Sequence, residues 1–286
     1  MTSRSVIRQY PAYRDDIGEL VTRRPLPGPG IDQLDPFLFL NHHGPQRYAP
    51  GNRGLPFGPH PHRGFETVTF MLAGELAHLD SGGHESVIGA GGVQWMTAGS
   101  GLVHAEVSPE SFKRSGGPLE ILQLWVNLPS RLKMTKPAYR GLIRDEIPVI
   151  ALDEGRVRVN LVSGEFGGRT GPIASLTGVA MMTVEMQAGG SVTLPAPAGR
   201  SVFCYGVRGA LRVAGVACEP HHLVQLDDQG EGVHVQADGE AVLLYGHAEP
   251  IGEPVVAHGP FVMNSREEIS QAIHDYQSGA FGEVSL

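Results

Sequence analysis

Lysine and long apolar runs are both scarce in this chain of 286 residues. Lys113, Lys133 and Lys136 are its only lysines, and 30 acidic against 22 basic residues leave a net charge of -8. Phosphate binding needs clustered Lys and Arg, so we expect no direct nucleic-acid partner. No apolar run approaches the ~20 residues that span a bilayer, and the N-terminus lacks the apolar core of a secretion signal. These absences predict no membrane role and a cytoplasmic location.

Cysteine is nearly absent as well. Cys204 and Cys218 have neither the number nor the CxxC spacing of a disulfide framework or a zinc framework. Two reduced, partly buried thiols are the expected state. By contrast, the chain has 13 histidines, and this is the compositional feature that indicates candidate catalytic or metal-binding residues.

Glycine and proline are abundant, with 39 and 22 residues, and they interrupt the chain at short intervals. Between them lie short runs of β-type residues, several of which alternate apolar and polar positions, as in 66–72, 120–128 and 156–162. Many short strands separated by Gly-rich turns predict an all-β sandwich or barrel. A Pro- and Lys-bearing segment at 128–148 separates two such runs of strands. We therefore predict two domains, 1–135 and 136–286.

One helix is predicted near the C-terminus. Ser265 with Glu268 three residues later forms a capping box. Ile269, Ala272, Ile273 and Tyr276 then follow at the spacing of one apolar helix face, and Gly279 supplies the stop. The pattern indicates a closing helix that docks on a β-domain.

Two short motifs carry the candidate chemistry. His60 and His62 form an HxH pair, and His104 and Glu106 form an HxE pair some forty residues later. Residues two apart on a strand point to the same face, so each pair offers two donors to one side. If both strands line one barrel, three imidazoles and a carboxylate converge on a point. This donor set favours a first-row transition metal over calcium.

The geometry of the HxH pair is less regular than that of the HxE pair. Pro59 and Pro61 cannot donate to a central strand ladder, so an extended conformation of His60 depends on the following proline. We predict a proline-stiffened ligand segment at the lip of a barrel. His78 and His84, around a Gly-rich turn, are expected at the surface or behind the ligands.

The same residues resemble a known family. PHPHRGFETVTFMLAGE with VQWMTAGSGLVHAE, the segment DPFLFLNHHGP and the ending GPFVMNSREEISQAIHDYQSGAFG are similar to the pirin family of the cupin superfamily. The resemblance spans nearly the whole chain. It implies two tandem cupin (jelly-roll) β-barrels with a C-terminal helix, a metal in the N-terminal barrel and a metal-free C-terminal barrel.

The resemblance also selects the carboxylate ligand. In most cupins the Glu of the first motif binds the metal, which here would be Glu66, whereas pirins use the Glu that matches Glu106. We follow the pirin pattern and expect Glu66 behind the ligands, where a carboxylate could orient an imidazole N–H. Candidate pocket residues are Phe57, Arg63, Trp95 and Gln123, each of which also has a packing explanation.

Two functions remain open from the sequence. Several bacterial pirins act as quercetin 2,3-dioxygenases, which cleave a flavonol with loss of carbon monoxide, and the resemblance implies that activity here. One divalent transition metal would serve as cofactor, with Fe²⁺ favoured and Cu, Ni, Mn, Co or Zn as alternatives. A flavonol-like enol or phenol and O₂ would be the substrates, and Glu106 the base. The alternative is a non-enzymatic, iron-dependent regulatory or redox-sensing pirin that acts through protein partners.

Overall fold

The computed structural model describes residues 3–285, which are dominated by strands. Up to residue 142 the elements are β1 Val6–Pro11, β2 Tyr13–Arg14, β3 Thr22–Leu26, β4 Phe37–Tyr48, β5 Phe57–His62, β6 Phe65–Ala73, β7 Glu75–Asp80, β8 Glu85–Gly89, β9 Val93–Thr97, β10 Leu102–Val107, α1 Glu110–Ser115, β11 Gly117–Asn127 and β12 Ala138–Leu142.

A second series of strands follows and ends in a helix. Its elements are β13 Val149–Leu152, β14 Val157–Ser163, β15 Glu165–Phe166, β16 Arg169–Thr170, β17 Ala180–Met186, β18 Ser191–Pro195, β19 Ser201–Arg208, β20 Leu211–Val213, β21 Val216–Cys218, β22 His222–Leu226, β23 Gly232–Ala237, β24 Ala241–Ala248, β25 Val256–His258, β26 Phe261–Met263 and α2 Arg266–Gln277. Within residues 3–285, neither α-helix is long and apolar enough to cross a membrane.

The chain forms two compact units that are not contiguous in sequence. The first unit contains residues 14–23, 37–144 and 251–285, and the second contains residues 3–13, 24–36 and 145–250. The predicted domains, 1–135 and 136–286, remain a proposal. The compact units have different bounds from these domains. The C-terminal helix, which the sequence analysis assigns to the second domain, lies in the first unit.

Packing explains where α2 lies. Its buried residues Ile269 and Ala272 belong to an apolar cluster with Val103, Phe261 and Phe281, all in the first unit. The predicted cap is confirmed, since the Ser265 side chain accepts the Glu268 backbone N–H and the Glu268 side chain accepts the Ser265 N–H. The helix therefore stabilises the first unit with one buried face, as the apolar spacing predicts.

The two units share one strand arrangement. In the first unit, a sheet ordered β12-β9-β6-β11-β4 accompanies a four-stranded sheet ordered β5-β10-β7-β8. In the second unit, a sheet ordered β1-β22-β19-β24-β17-β14-β13 accompanies a four-stranded sheet ordered β18-β23-β20-β21. Strands β6, β11 and β5 of the first unit thus correspond to β19, β24 and β18 of the second.

Candidate metal centre

Strands β5 and β10 place the two motifs side by side. They pair antiparallel, with His104 opposite His60 and Leu102 opposite His62. Strand β5 is the edge of its four-stranded sheet, so the missing N–H groups of Pro59 and Pro61 need not interrupt a central ladder. The edge position is what allows a proline-rich segment to present two histidines to one side.

His60, His62 and His104 converge. One ring nitrogen from each lies within 4.8 Å of the others, and the ring centroids are 4.4 to 4.9 Å apart. His62 and His104 are buried, and His60 is half-buried. Three imidazoles in this arrangement can hold one transition metal ion.

Backbone carbonyls orient two of the three rings. The Nδ1 atom of His60 lies 2.7 Å from the Gly58 carbonyl oxygen, and that of His62 lies 3.2 Å from the Pro260 carbonyl oxygen. Each Nδ1 therefore donates its proton, which leaves Nε2 with its lone pair free. Sequence reasoning could not have found Pro260, because it lies 198 residues from His62.

His104 has no such partner. Both of its ring nitrogens are buried without a hydrogen bond in the described structure. Because unpartnered buried nitrogens are unfavourable, this ring fits a metal better than it fits an apolar core. Burial, together with nearby His62, His60 and His78, sets the pKa of His104 well below its usual value. Burial and neighbouring His60 likewise lower the pKa of His62 to about 3. Both rings are therefore neutral at neutral pH, which is the form that binds metals.

Glu106 lies on the same strand but outside the group of convergent atoms. Its Oε1 accepts hydrogen bonds from Thr69, at 3.0 Å, and from Gln94. Its Oε2 accepts a hydrogen bond from Gln123. All three donors are neutral, so they fix the carboxylate without cancelling its charge. Glu106 as a metal ligand remains a proposal that follows the pirin pattern.

Arg63 and Phe57, two other predicted pocket residues, contact groups other than the three histidines. Arg63 donates to the Ser100 carbonyl and to Asp275 of α2, and its guanidinium lies 4.6 Å from the Phe281 ring centroid. Phe57 pairs with Glu106 across β5 and β10 and packs against the apolar cluster that contains Phe112. The contacts of Arg63 hold its side chain against α2.

Glu66 and Trp95 lie on the opposite strand face from Thr69 and Gln94. Glu66 pairs with Thr97, and Thr69 pairs with Gln94, in the β6–β9 register. Because side chains alternate along a strand, Glu66 and Trp95 face away from the group that holds Glu106. The Glu66 carboxylate accepts a 2.7 Å bond from Thr97 rather than from an imidazole, and burial raises its pKa.

His78 is buried next to His104. Its ring centroid lies 5.5 Å from that of His104 and 3.8 Å from that of Tyr139, against which it stacks. Its Nε2 lies 3.0 Å from Asp80, whose carboxylate also accepts from half-exposed His84. The sequence predicts His78 at the surface or behind the ligands; the structure buries it beside His104, with its hydrogen bond to Asp80.

Gln94 is the main positioning residue that the sequence analysis missed. Its amide donates to Glu106, and its carbonyl oxygen accepts the Tyr139 hydroxyl at 3.1 Å. We expect Gln94→Leu to weaken metal binding about 10- to 100-fold, the usual loss when a group behind a ligand is removed. Competition with a chelator of known affinity measures the change.

A matched control for Gln94→Leu exists in the second unit. Gln225 accepts the Tyr10 hydroxyl at 2.7 Å, so Gln225→Leu breaks a similar Gln–Tyr pair far from the histidines in sequence. Metal affinity should be unchanged in Gln225→Leu. An equal affinity in Gln94→Leu and wild type would show that Gln94 does not position a ligand.

The matched topologies and the histidine cluster define the class of the protein, a tandem cupin with a candidate metal centre. Comparisons with known proteins agree. Family models described as Pirin and as Pirin C-terminal cupin domain match residues 19–126 and 181–282. A pirin-like protein of Caulobacter vibrioides is 42% identical over 269 residues, covering 93% of this chain and 94% of that protein. The chain belongs to the pirin family.

Two solved structures are also similar. A crystal structure described as quercetin 2,3-dioxygenase from Acinetobacter baumannii matches with a TM-score of 0.93 and 33% identity, covering 99% of this chain and 100% of that one. A bacterial pirin from Escherichia coli in complex with nickel(II) matches with a TM-score of 0.67 and 20% identity, covering 85% and 99%. The second likeness shows the shared fold alone.

Proposed function

We propose that the protein is a metal-dependent dioxygenase of the quercetin 2,3-dioxygenase type, acting on a flavonol-like enol or phenol. The observation that carries the proposal is the convergence of His60, His62 and His104, two of them buried, with Glu106 on the strand of His104. The full-length similarity to a structure described as quercetin 2,3-dioxygenase supports the choice of reaction.

The donor set fits a divalent transition metal. His60, His62, His104 and Glu106 would hold it, with Fe²⁺ favoured and Cu, Ni, Mn, Co or Zn as alternatives. When bound, such a metal supplies an electron-rich or Lewis-acidic centre with one or two open positions for a substrate oxygen or O₂.

Charge indicates the substrate class. A divalent ion, three neutral imidazoles and one carboxylate sum to a residual charge near +1, so the pocket favours an anionic oxygen. A flavonol enol provides one when its hydroxyl proton is removed. Burial of His62 and His104 strengthens this preference, because charges interact more strongly where water is excluded.

Glu106 is the proposed proton acceptor. Each of its two oxygens accepts hydrogen bonds from different side chains. Thr69 and Gln94 donate to Oε1, and Gln123 donates to Oε2. A carboxylate fixed in this way can take the hydroxyl proton of the substrate without first reorienting. Gln94 and Gln123 would hold the carboxylate in place while it carries the proton.

The test is turnover by the purified chain. Protein loaded with Fe²⁺ without oxygen, then given quercetin and O₂, should consume flavonol and release about one carbon monoxide per flavonol lost. A flavone without the enol hydroxyl should not react, and Glu106→Gln should lower turnover at least about 100-fold. Flavonol absorbance and gas chromatography measure both quantities.

The alternative function is an outcome of the same test. Protein that binds metal stoichiometrically but does not consume flavonol with Fe²⁺, Cu²⁺, Ni²⁺, Mn²⁺ or Co²⁺ would overturn the dioxygenase proposal. It would instead favour a regulatory or redox-sensing pirin that acts through a protein partner. A cytoplasmic location is part of both proposals.

A further inference from the structure

The second unit contains a cavity of about 800 Å³ that the proposed reaction does not use. Glu165, Arg200, His247 and Glu249 contribute its charged and polar side chains, and glycines, alanines and prolines line the rest. All of its lining residues belong to residues 145–250. Strands β17, β18, β19 and β24 begin or end around it.

Strand correspondence relates this cavity to the metal centre of the first unit. Gly74 follows β6 and Gly209 follows β19, the equivalent strand. Strand β18 corresponds to β5, and where β5 has His60 and His62, residues 191–197 contain no histidine but two prolines, Pro195 and Pro197. Both prolines line the cavity.

The aromatic residues beside the metal centre are replaced too. In the first unit, Phe39, Phe65 and Trp125 stack with ring centroids 4.5 to 4.6 Å apart, next to His62. Counting back nine residues from Gly74 and Gly209 matches Phe65 with Arg200, and the strand pairing then matches Trp125 with His247 and Phe39 with Ala180. Loss of aromatic volume leaves space, and the replacements line that space with hydrogen-bond donors.

Arg200 and His247 form a hydrogen-bonded pair at the cavity. The Nε–H of Arg200 donates to Nδ1 of His247 at 2.8 Å, and its Nη2 donates to the carbonyls of Gly178 and His247. Because Nδ1 accepts, the proton of the neutral ring is on Nε2. Burial and the charges of Arg200 and Arg4 lower the pKa of His247 to about 4, so the ring remains a neutral donor at neutral pH.

Arg4 adds a buried positive charge beneath the proline segment. Its side chain is 2% exposed, and every hydrogen bond that the described structure gives it goes to a backbone carbonyl. Two of the acceptors are the carbonyls of Ala196 and Pro197, at 2.7 to 3.3 Å. Neutral acceptors leave its charge uncompensated, which makes the cavity side of this segment favourable for an anion.

Acidic residues at the rim oppose that charge only in part. Glu249 lies 3.4 Å from Nη1 of Arg200, but its side chain is 79% exposed. An exposed ion pair at this distance contributes little, so a ligand can displace it. Glu165 also lies at the rim and is exposed.

We propose that this cavity binds a small organic carboxylate, which accepts hydrogen bonds from Arg200 and from Nε2 of His247. Its apolar body lies against Ala180, Pro195 and Pro197. The site is separate from the proposed dioxygenase reaction, and its existence does not depend on that reaction.

The test uses benzoate as the probe, on the full chain after metal removal by a chelator. Titration followed by two-dimensional ¹H–¹⁵N NMR should give shifts confined to residues around the cavity. A dissociation constant of about 1 mM is reasonable for a ligand of this size. Benzamide, which has the same shape without the charge, should bind at least about tenfold more weakly.

Three variants probe the charges. Arg200→Gln should weaken benzoate binding at least about tenfold, and Glu249→Gln should strengthen it a few-fold by removing the competing carboxylate. Arg212→Gln, which removes a half-exposed surface arginine of the same unit, should have no effect. If Arg200→Gln fails to fold, the opposite-signed effect of Glu249→Gln still tests the proposal.

Several results would overturn it. One is the absence of NMR shifts around the cavity up to about 20 mM benzoate, well above the expected dissociation constant of ~1 mM. The others are equal binding of benzoate and benzamide, and an unchanged benzoate affinity in Glu249→Gln. Inorganic phosphate binding more tightly than benzoate would reject an organic ligand and indicate a general anion site.

Discussion

His104→Ala should lose bound metal while the protein stays folded. The ring contributes one of three convergent nitrogens, and its removal should lower metal affinity at least about 100-fold. Flavonol turnover should fall to background with it. Elemental analysis after loading and desalting measures the metal, and thermal unfolding with and without metal measures its coupling to stability.

The metal-free protein should tolerate this change unusually well. Both nitrogens of His104 are buried without partners, so removing the ring relieves an unfavourable desolvation that partly offsets the cavity left behind. Wild type should gain stability when the metal is added, because the ion binds only the folded state. His104→Ala should gain none.

His234→Ala serves as the control. His234 lies on β23, the strand of the second unit that corresponds to β10, and its side chain is exposed. This variant should keep wild-type metal content and turnover. Full metal retention by His104→Ala would refute the site itself, whatever the reaction.

Gly64→Ala should be the most destabilising single change at the metal centre's ligand segment. Gly64 follows His62 and Arg63, has a φ of +90°, and its added Cβ would lie 2.0 Å from the Val262 carbonyl oxygen. Backbone strain of about 1–2 kcal/mol and overpacking of about 1–3 kcal/mol together predict a loss of about 2–5 kcal/mol in the free energy of unfolding. Urea denaturation of the metal-free protein measures it.

A second glycine separates the two contributions. Gly83 has a φ of +85°, nearly that of Gly64, but an added Cβ would meet nothing within 4 Å. Gly83→Ala should therefore lose only the ~1–2 kcal/mol of backbone strain. Equal losses in the two variants would mean that the contact with Val262 does not constrain the ligand segment.

The features of the candidate site that depend on local spacing could be predicted from the sequence. HxH and HxE spacing predicts pairs of donors on one strand face, and the pairing of β5 with β10 brings three of the four, His60, His62 and His104, together. The capping box and apolar spacing of the C-terminal helix were likewise local signals, and the helix forms where they predict it.

The rest depended on contacts that no local pattern encodes. Whether Gln94 or Trp95 faces Glu106 is decided by the β6–β9 register, and a shift of one residue reverses the answer. The assignment of α2 to the first unit follows from an apolar cluster that joins residues 103 and 281. Neither could be deduced from spacing alone.

Contact between His62 and the Pro260 carbonyl has a consequence for biosynthesis. All three histidines have been synthesised once the chain reaches residue 104 of 286, but the oxygen that sets the tautomer of His62 is added only at residue 260. A nascent chain therefore carries the donors before it carries their orienting group. We expect tight metal binding only after Pro260 has been added, because until then His62 lacks the carbonyl that orients its ring.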